Sequence, residues 1–262
     1  MIRRAWNRLL LGIGIAFFVA ICFAWAVVAT VLWPFLPARI GRRVGRVGAM
    51  AGFRAFLWTM EMLGALRLEL RALDVLAQEG ALIVAPNHPG LLDAVLMVSR
   101  MPNAVCVMKG SLLSYFLLAP ASRLARYLPN DSLLKLVTKA HEELDRGGQL
   151  LLFPEGTRTT GGVLGPLTDA VGAISKRTHV PVQVVIIEAS APFLGKVRTA
   201  GSPPPFPITY RARLGRRFEP PKDVRAFTEE LDRHFRRELA AGLPEAAEIP
   251  APAVEDAHQL RG

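Results

Sequence analysis

The chain has 262 residues, a net charge of +10 and a hydrophobic fraction of 51%. This length is enough for one substantial core. Its charge is concentrated near the N-terminus, where eight arginines precede the first acidic residue, Glu61, and the rest of the chain is nearly neutral. A nucleic-acid-binding domain spreads positive charge over its folded surface, so we expect no nucleic-acid partner.

The first predicted element is an uncharged apolar segment at residues 9–36. Its 28 residues exceed the roughly 20 that cross a bilayer as a helix. The Trp33-Pro34-Phe35 sequence near its end does not suit a signal-peptide cleavage site, which needs small residues. Arginines on both sides leave open a single span and a helical hairpin completed by a second apolar stretch at 44–68. The positive charge favours cytoplasmic flanks that meet anionic membrane lipids.

After this segment, short apolar runs alternate with helical patterns, which predicts an α/β fold with a mixed central sheet flanked by helices. We predict strands at 81–85, 104–108, 150–153 and 182–187, and an edge strand at 208–214. We predict helices at 91–98, 112–124, 132–146 and 224–239. The predicted organisation is an N-terminal membrane region at 1–68, a catalytic domain at 69–242 and a disordered tail at 243–262.

A first group of candidate catalytic residues, NHPGLLD at 87–93, follows the strand predicted at 81–85. A histidine before a helix N-terminus is favoured in its neutral form, which is the form a general base needs. Asp93 can reach back to Nδ1 of His88 and fix its tautomer. Backbone amides within 89–91 are candidate donors to an oxyanion, except that of Pro89, which has no N–H. The alternative is a capping histidine and a first-turn aspartate without catalytic roles.

A second group, FPEGTR at 153–158, follows the strand predicted at 150–153. Arg158 offers a fork of donors suited to phosphate. Gly156 permits a close backbone approach, and Glu155 is positioned to orient Arg158 or an acceptor hydroxyl. The alternative is a surface loop with an exposed salt bridge, which does not explain why the charges stand at strand ends.

Together these two groups resemble the hallmark NHxxxxD and FPEGTR motifs of the lysophospholipid (1-acylglycerol-3-phosphate) acyltransferase family, bacterial type. The resemblance implies that His88 is the base and Asp93 its partner. It also implies acceptor-binding residues: Asn87, Lys109, Glu155, Gly156, Thr157 and Arg158. The implied acyl donor is acyl-CoA or acyl-carrier protein, with no metal or bound cofactor. The implied place is the inner membrane, with the catalytic domain on the cytoplasmic face.

The sequence departs from the family pattern at several headgroup positions. Ser111-Leu112 stands where Glu-Leu is usual, and YLPNDS at 127–132 replaces a stretch that commonly holds an arginine. A phosphate dianion favours more than one cation nearby. We therefore hypothesise a different lipid acceptor as one alternative, and a thioester hydrolase or a catalytically silent lipid-binding protein as others. We interpret the remaining histidines as surface residues: His141, His179, His234 and His258.

Overall fold

The computed structural model describes residues 2–159, 164–191 and 206–242. Seven strands form one sheet, in the order β1-β7-β6-β2-β5-β3-β4. All neighbouring strands are parallel except β6 and β7, which are antiparallel. The predicted mixed sheet flanked by helices is therefore confirmed.

The strands are β1 (Leu66–Glu69), β2 (Leu82–Pro86), β3 (Ala104–Met108), β4 (Leu128–Pro129), β5 (Gln149–Leu151), β6 (Val182–Ala189) and β7 (Ile208–Phe218). The helices are α1 (Ile2–Leu32), α2 (Ala38–Met62), α3 (Asp93–Val98), α4 (Gly110–Leu113), α5 (Ala119–Ala125), α6 (Leu133–Asp145), α7 (Ala170–Thr178) and α8 (Val224–Ala241). A 3₁₀ helix spans Arg71–Gln78.

Two apolar cores lie on opposite faces of the sheet. Successive residues of a strand point to opposite faces, and β2 accordingly sends Leu82 and Val84 to one core and Ile83 and Ala85 to the other. The first core also contains residues of α1, α2 and α3, whereas the second contains residues of α6, α7 and α8. Because β2 is buried on both faces, it contains no alternating polar residues.

The N-terminal pair of helices packs against the first core. From Ala5 to Leu32, α1 is long and apolar enough to cross a membrane by length and composition. Phe18 of α1 lies with its ring centroid 6.1 Å from that of Phe53 and 5.2 Å from that of Phe56, both on α2. The two helices of the predicted hairpin are present, whereas their embedding in a membrane stays a prediction.

A buried arginine connects α2 to the catalytic part of the fold. Arg46 is 3% exposed, and its guanidinium donates to the Glu143 carboxylate, to Oδ1 of Asn103 at 2.7 Å and to the Ala125 carbonyl at 3.1 Å. These partners belong to three separate segments of the chain. Beside Arg46, the backbone of Gly45 approaches α5 so closely that a Cβ would lie 2.5 Å from the Ala125 nitrogen. Helix α2 is thus held in one position against α5 and α6.

The structure corrects three predicted elements. The strand predicted at the sheet edge is internal, because β1 pairs along its outer side. β1 itself overlaps the end of the stretch predicted as the second helix of the hairpin, since α2 ends at Met62 and Gly64 takes a positive φ of 69° that turns the chain. The helix predicted at 112–124 is two short helices, α4 and α5.

The predicted boundary at residue 68, between the membrane region and the catalytic domain, stays a prediction. The tail predicted at 243–262 lies outside the described residues.

We predict that Arg46→Gln lowers the free energy of unfolding by about 3 kcal/mol, because Glu143 would stay buried without its main partner. Arg43→Gln is the matched control, since Arg43 is exposed on the same helix and its replacement should cost less than about 0.5 kcal/mol. Denaturant titration of the two variants in detergent measures both values. Equal destabilisation would show that α2 is not held through Arg46.

Candidate active site

The two motifs lie together because they follow neighbouring parallel strands. β2 pairs with β5 with Val84 opposite Leu151, and the Leu152 amide donates to the Val84 carbonyl at 3.0 Å. The chain leaves both strands at their carboxyl ends, which is where open α/β sheets bind ligands. Residues 87–93 and 153–158 therefore share one edge of the sheet, as the sequence predicted.

His88 is oriented by three contacts. Its Nδ1 lies 2.9 Å from Oδ2 of Asp93, its backbone amide donates to Glu155, and its ring stacks on that of Phe153 with centroids 4.0 Å apart. A carboxylate only accepts hydrogen bonds, so Nδ1 carries the proton and Nε2 is left as the basic nitrogen. The side chain is 16% exposed. This arrangement suits a general base whose second nitrogen faces a substrate.

Asp93 is fully buried at the start of α3. Its Oδ2 accepts from both His88 and the Gly90 amide, at 2.7 Å from the latter, while Oδ1 has no partner among the described residues. Burial raises the pKa of the Asp93 carboxyl, and the hydrogen bonds from His88 and Gly90 partly oppose that rise. A buried carboxylate stabilises an imidazolium that forms beside it. The Gly90 amide is already occupied by Asp93, which argues against it as an oxyanion donor.

Glu155 links the two motif loops. It is 5% exposed, its Oε1 accepts from the His88 amide at 2.9 Å, and its Oε2 accepts from the Thr159 hydroxyl and the Gly165 amide, both at 2.7 Å. The Thr159 amide in turn donates to the His88 carbonyl at 3.0 Å. Both carboxylate oxygens are therefore used within the protein. This geometry gives Glu155 a role in positioning His88.

Asn87 is buried on the opposite side of the same loop. Its amide nitrogen donates to the Ile187 carbonyl at 2.9 Å, and its Oδ1 accepts from the Ile187 amide at 2.7 Å. These two bonds attach the loop after β2 to β6. At 2% exposure the side chain has little surface for a ligand, so any contribution of Asn87 to substrate binding is through the position of His88.

The remaining predicted acceptor-binding residues border the site. Gly156 and Thr157 are exposed and Arg158 is partly exposed. Gly156 has a φ of 64°, the left-handed conformation that glycine adopts without strain. Lys109 is exposed and lies between β3, which pairs with β5, and α4. A cationic residue thus follows each of two adjacent parallel strands, Lys109 directly after β3 and Arg158 in the segment after β5.

Sequence reasoning missed two features of this edge. The Asp131 carboxylate accepts from the Gly110 amide at 3.1 Å, next to Lys109, so an anionic group stands in the stretch that departs from the family pattern. The stacking of Phe153 on His88 was also missed. Phe153 is the first residue of the FPEGTR motif and Asp131 lies in the YLPNDS stretch, but the sequence does not reveal the partner of either side chain.

One histidine was wrongly interpreted as a surface residue. His234 on α8 is 8% exposed, and its Nε2 accepts from the Arg216 amide at 3.3 Å. It packs edge-on against Phe218, far along the chain from both motifs. His179 is exposed, and His141 is 43% exposed beside Asp145. His258 lies outside the described residues.

We predict that Glu155→Gln lowers the free energy of unfolding by about 1–3 kcal/mol. A glutamine amide presents one oxygen, so either the His88 amide or the Thr159 and Gly165 donors must face an NH₂ group. Glu142→Gln is the control, because Glu142 is 58% exposed on α6, and it should change stability by less than about 0.5 kcal/mol. Chemical denaturation at neutral pH measures the free energy of unfolding of both variants. An unchanged free energy in Glu155→Gln would contradict the role of Glu155 in positioning His88.

Comparison with known proteins finds similar proteins of one kind. A model of the acyltransferase family matches residues 67–188, which include both motifs. The 1-acyl-sn-glycerol-3-phosphate acyltransferase of Pseudomonas aeruginosa is 25% identical over 170 residues, covering 62% of this chain and 64% of that protein. The protein of the same name from Limnanthes alba is 23% identical over 175 residues, covering 63% and 58%. The chain thus spans about half to two thirds of the length of such curated relatives.

The fold is similar to a solved structure as well. The crystal structure of the 1-acyl-sn-glycerophosphate (LPA) acyltransferase PlsC from Thermotoga maritima superimposes with a TM-score of 0.67 at 17% identity. The match covers 91% of this chain and 97% of that one, so it includes the N-terminal helices together with the sheet. Residues 67–188 thus match the acyltransferase family, and the relatives and the solved structure that the chain resembles are 1-acyl-sn-glycerol-3-phosphate acyltransferases.

Proposed function

We propose that the chain is an O-acyltransferase that moves a fatty acyl group from acyl-CoA or acyl-carrier protein to the hydroxyl of a lysophospholipid in phospholipid biosynthesis. The observation that carries this proposal is the His88–Asp93 pair, with Nδ1 engaged and Nε2 available at the carboxyl edge of the sheet. The names of the relatives support the acceptor class.

In the proposed reaction, Nε2 of His88 takes the proton of the acceptor hydroxyl as its oxygen attacks the thioester carbonyl. The imidazolium formed is stabilised by the buried Asp93 carboxylate. Collapse of the tetrahedral intermediate forms the ester and breaks the carbon–sulfur bond. The imidazolium then returns its proton to the departing thiolate, so that the products are the acylated lipid and a free thiol.

This chemistry requires no metal or bound cofactor. The acceptor hydroxyl is the nucleophile, and the proton moves between His88 and the substrates. Among the described residues, no group of three or more histidine, cysteine, aspartate or glutamate side chains stands where it could hold a metal ion.

We assign the binding of the acceptor headgroup to Arg158 and Lys109. A guanidinium binds phosphate oxygens in a bidentate manner, whereas an ammonium acts as a point charge. A different lipid acceptor is the second candidate, supported by the Asp131 carboxylate beside Lys109, because an anionic group at this edge disfavours a phosphate dianion there.

The proposed location is the inner membrane, with the catalytic domain on the cytoplasmic face. The support is α1, which is apolar over Ala5–Leu32, and the arginines that flank it. A membrane surface is also where the long acyl chains of both the acceptor and the product reside.

We predict that His88→Ala lowers kcat for acyl transfer by about 10³-fold, within the range for loss of a general base. His141→Ala is the control, because His141 is half-exposed on α6, and its kcat should stay within about twofold. The assay uses the full chain in detergent with labelled acyl-CoA or acyl-carrier protein and a panel of lysophospholipids. Unchanged turnover in His88→Ala would refute the proposed role. Labelled fatty acid released without any acceptor would indicate a hydrolase instead.

We predict that Arg158→Lys raises KM for the preferred phosphate-bearing acceptor by about tenfold, because the charge is kept but the bidentate geometry is lost. Lys109→Arg should have a smaller effect. Steady-state kinetics with varied acceptor at saturating donor measure both. Faster acylation of a phosphate-free lipid than of lysophosphatidate, together with an unchanged KM in Arg158→Lys, would favour the second candidate.

A further inference from the structure

A cationic pocket lies where the turn between α1 and α2 meets the end of α5. It has a volume of about 240 Å³, and its lining includes Arg42, Arg126 and Trp33. The Arg126 guanidinium lies 4.8 Å from the centre of the Trp33 ring, a cation–π distance. The pocket therefore combines two guanidinium groups with an aromatic wall.

Neither guanidinium group is hydrogen-bonded to an acidic side chain among the described residues. Arg42 forms an ion pair with Glu143 at 3.8 Å, which is longer than a hydrogen bond, and that carboxylate is bonded to Arg46. For Arg126, Trp33 is the side-chain contact found within the described residues. Arg39 is exposed nearby on α2 and adds to the positive potential. An anion entering this pocket would meet guanidinium groups that hold no hydrogen bond to a carboxylate of the described residues.

An apolar pocket of about 250 Å³ lies beside the first, between α1 and the start of α5. Phe23 and Val27 line it from α1, and Phe116 and Leu117 line it from the loop before α5. Phe23 is 56% exposed and Phe116 is 69% exposed, so this apolar surface is open to its surroundings.

The two pockets follow one another along α1 and α5. On the α1 side the apolar pocket extends to Val31 and the cationic pocket begins at Trp33, in the turn that follows α1. On α5, Pro120 lines the apolar pocket and Leu124 the cationic one, and a spacing of four residues keeps the two side chains on one face of the helix. Four residues of helix span about 6 Å, so the cationic and apolar parts are within the length of one lipid molecule. We name this feature the α1/α5 groove.

We propose that the α1/α5 groove binds one molecule of an anionic phospholipid. Its phosphate lies between Arg42 and Arg126, with the glycerol region against Trp33, and one acyl chain lies in the apolar part. A soluble anion would leave the exposed apolar part unfilled, and an apolar peptide would leave the guanidinium pair without a counter-charge. Basic pockets between membrane-associated helices are suited to anionic headgroups.

This lipid site is separate from the proposed active site. None of the residues lining the groove belongs to the 87–93 or 153–158 motifs. The proposal therefore stands or fails independently of the acyl-transfer chemistry. Its role is to fix a bilayer lipid against α1 and α5.

The headgroup end is tested with two matched double variants of the full chain. Arg42→Gln/Arg126→Gln removes the lining pair, whereas Arg43→Gln/Arg123→Gln removes two exposed charges from the same helices. Phosphatidylglycerol bound to each protein in neutral detergent is measured by native mass spectrometry, beside phosphatidylcholine. We expect the lining variant to bind phosphatidylglycerol about tenfold more weakly, and the control to stay within about threefold of wild type.

The apolar end is tested with a second pair. Val27→Trp fills the groove, and Val28→Trp adds the same side chain at a neighbouring exposed position that does not line it. We expect phosphatidylglycerol binding to fall about fivefold in Val27→Trp only. Glycerol phosphate and inorganic phosphate, added as competitors, should displace the lipid poorly because they lack the chain.

Several results for the wild type and the arginine variants would overturn the proposal. They are equal losses in the two arginine variants, equal binding of phosphatidylglycerol and phosphatidylcholine, full displacement by glycerol phosphate, or no lipid retained by the wild type. His88→Ala is included because it should retain the lipid. Loss of lipid in that variant would indicate that the lipid binds in the active site, and it would also overturn the proposal that it binds in the α1/α5 groove.

Discussion

The buried Glu155 carboxylate is the interaction on which the site depends. It stands at the end of β5 and accepts hydrogen bonds from the His88 amide after β2 and from the Thr159 and Gly165 region. A carboxylate with 5% exposure is costly unless its oxygens are satisfied, and here each oxygen has at least one donor. The same bonds that stabilise Glu155 therefore determine where the imidazole of His88 lies.

Parallel pairing of β2 with β5 makes this link possible. Since parallel strands end at the same edge of a sheet, the loops that follow them meet without long connections. Asn87 attaches the loop on its other side to β6. His88 is thus held between two neighbouring strands, and its proposed role as a base would require little reorganisation when a substrate binds.

Buried charge also determines how the N-terminal helices are positioned. Arg46 in α2 is bonded to Glu143, Asn103 and a carbonyl of α5, so the helix pair that contains α1 has a defined orientation relative to the sheet. An apolar interface alone would permit sliding, whereas a guanidinium with three directional bonds does not. The α1/α5 groove exists because of this fixed orientation, since its walls come from α1, the α1–α2 turn and α5.

The sequence by itself determined the class of fold, the apolar N-terminal helix and the two motifs at strand ends. Each of these depends on neighbouring residues, through hydrophobic periodicity, residue size and local spacing. Tertiary structure alone decided the internal place of β7, the roles of Asn87 and Glu155 in positioning the loop, the burial of His234 and the contacts of Arg46. These depend on partners that are distant in sequence: Asn87 bonds a residue 100 positions away, and Glu155 one that is 67 positions away. A polar side chain in a sequence does not reveal its partner, because burial and hydrogen-bond geometry arise only when separate strands and helices pack together.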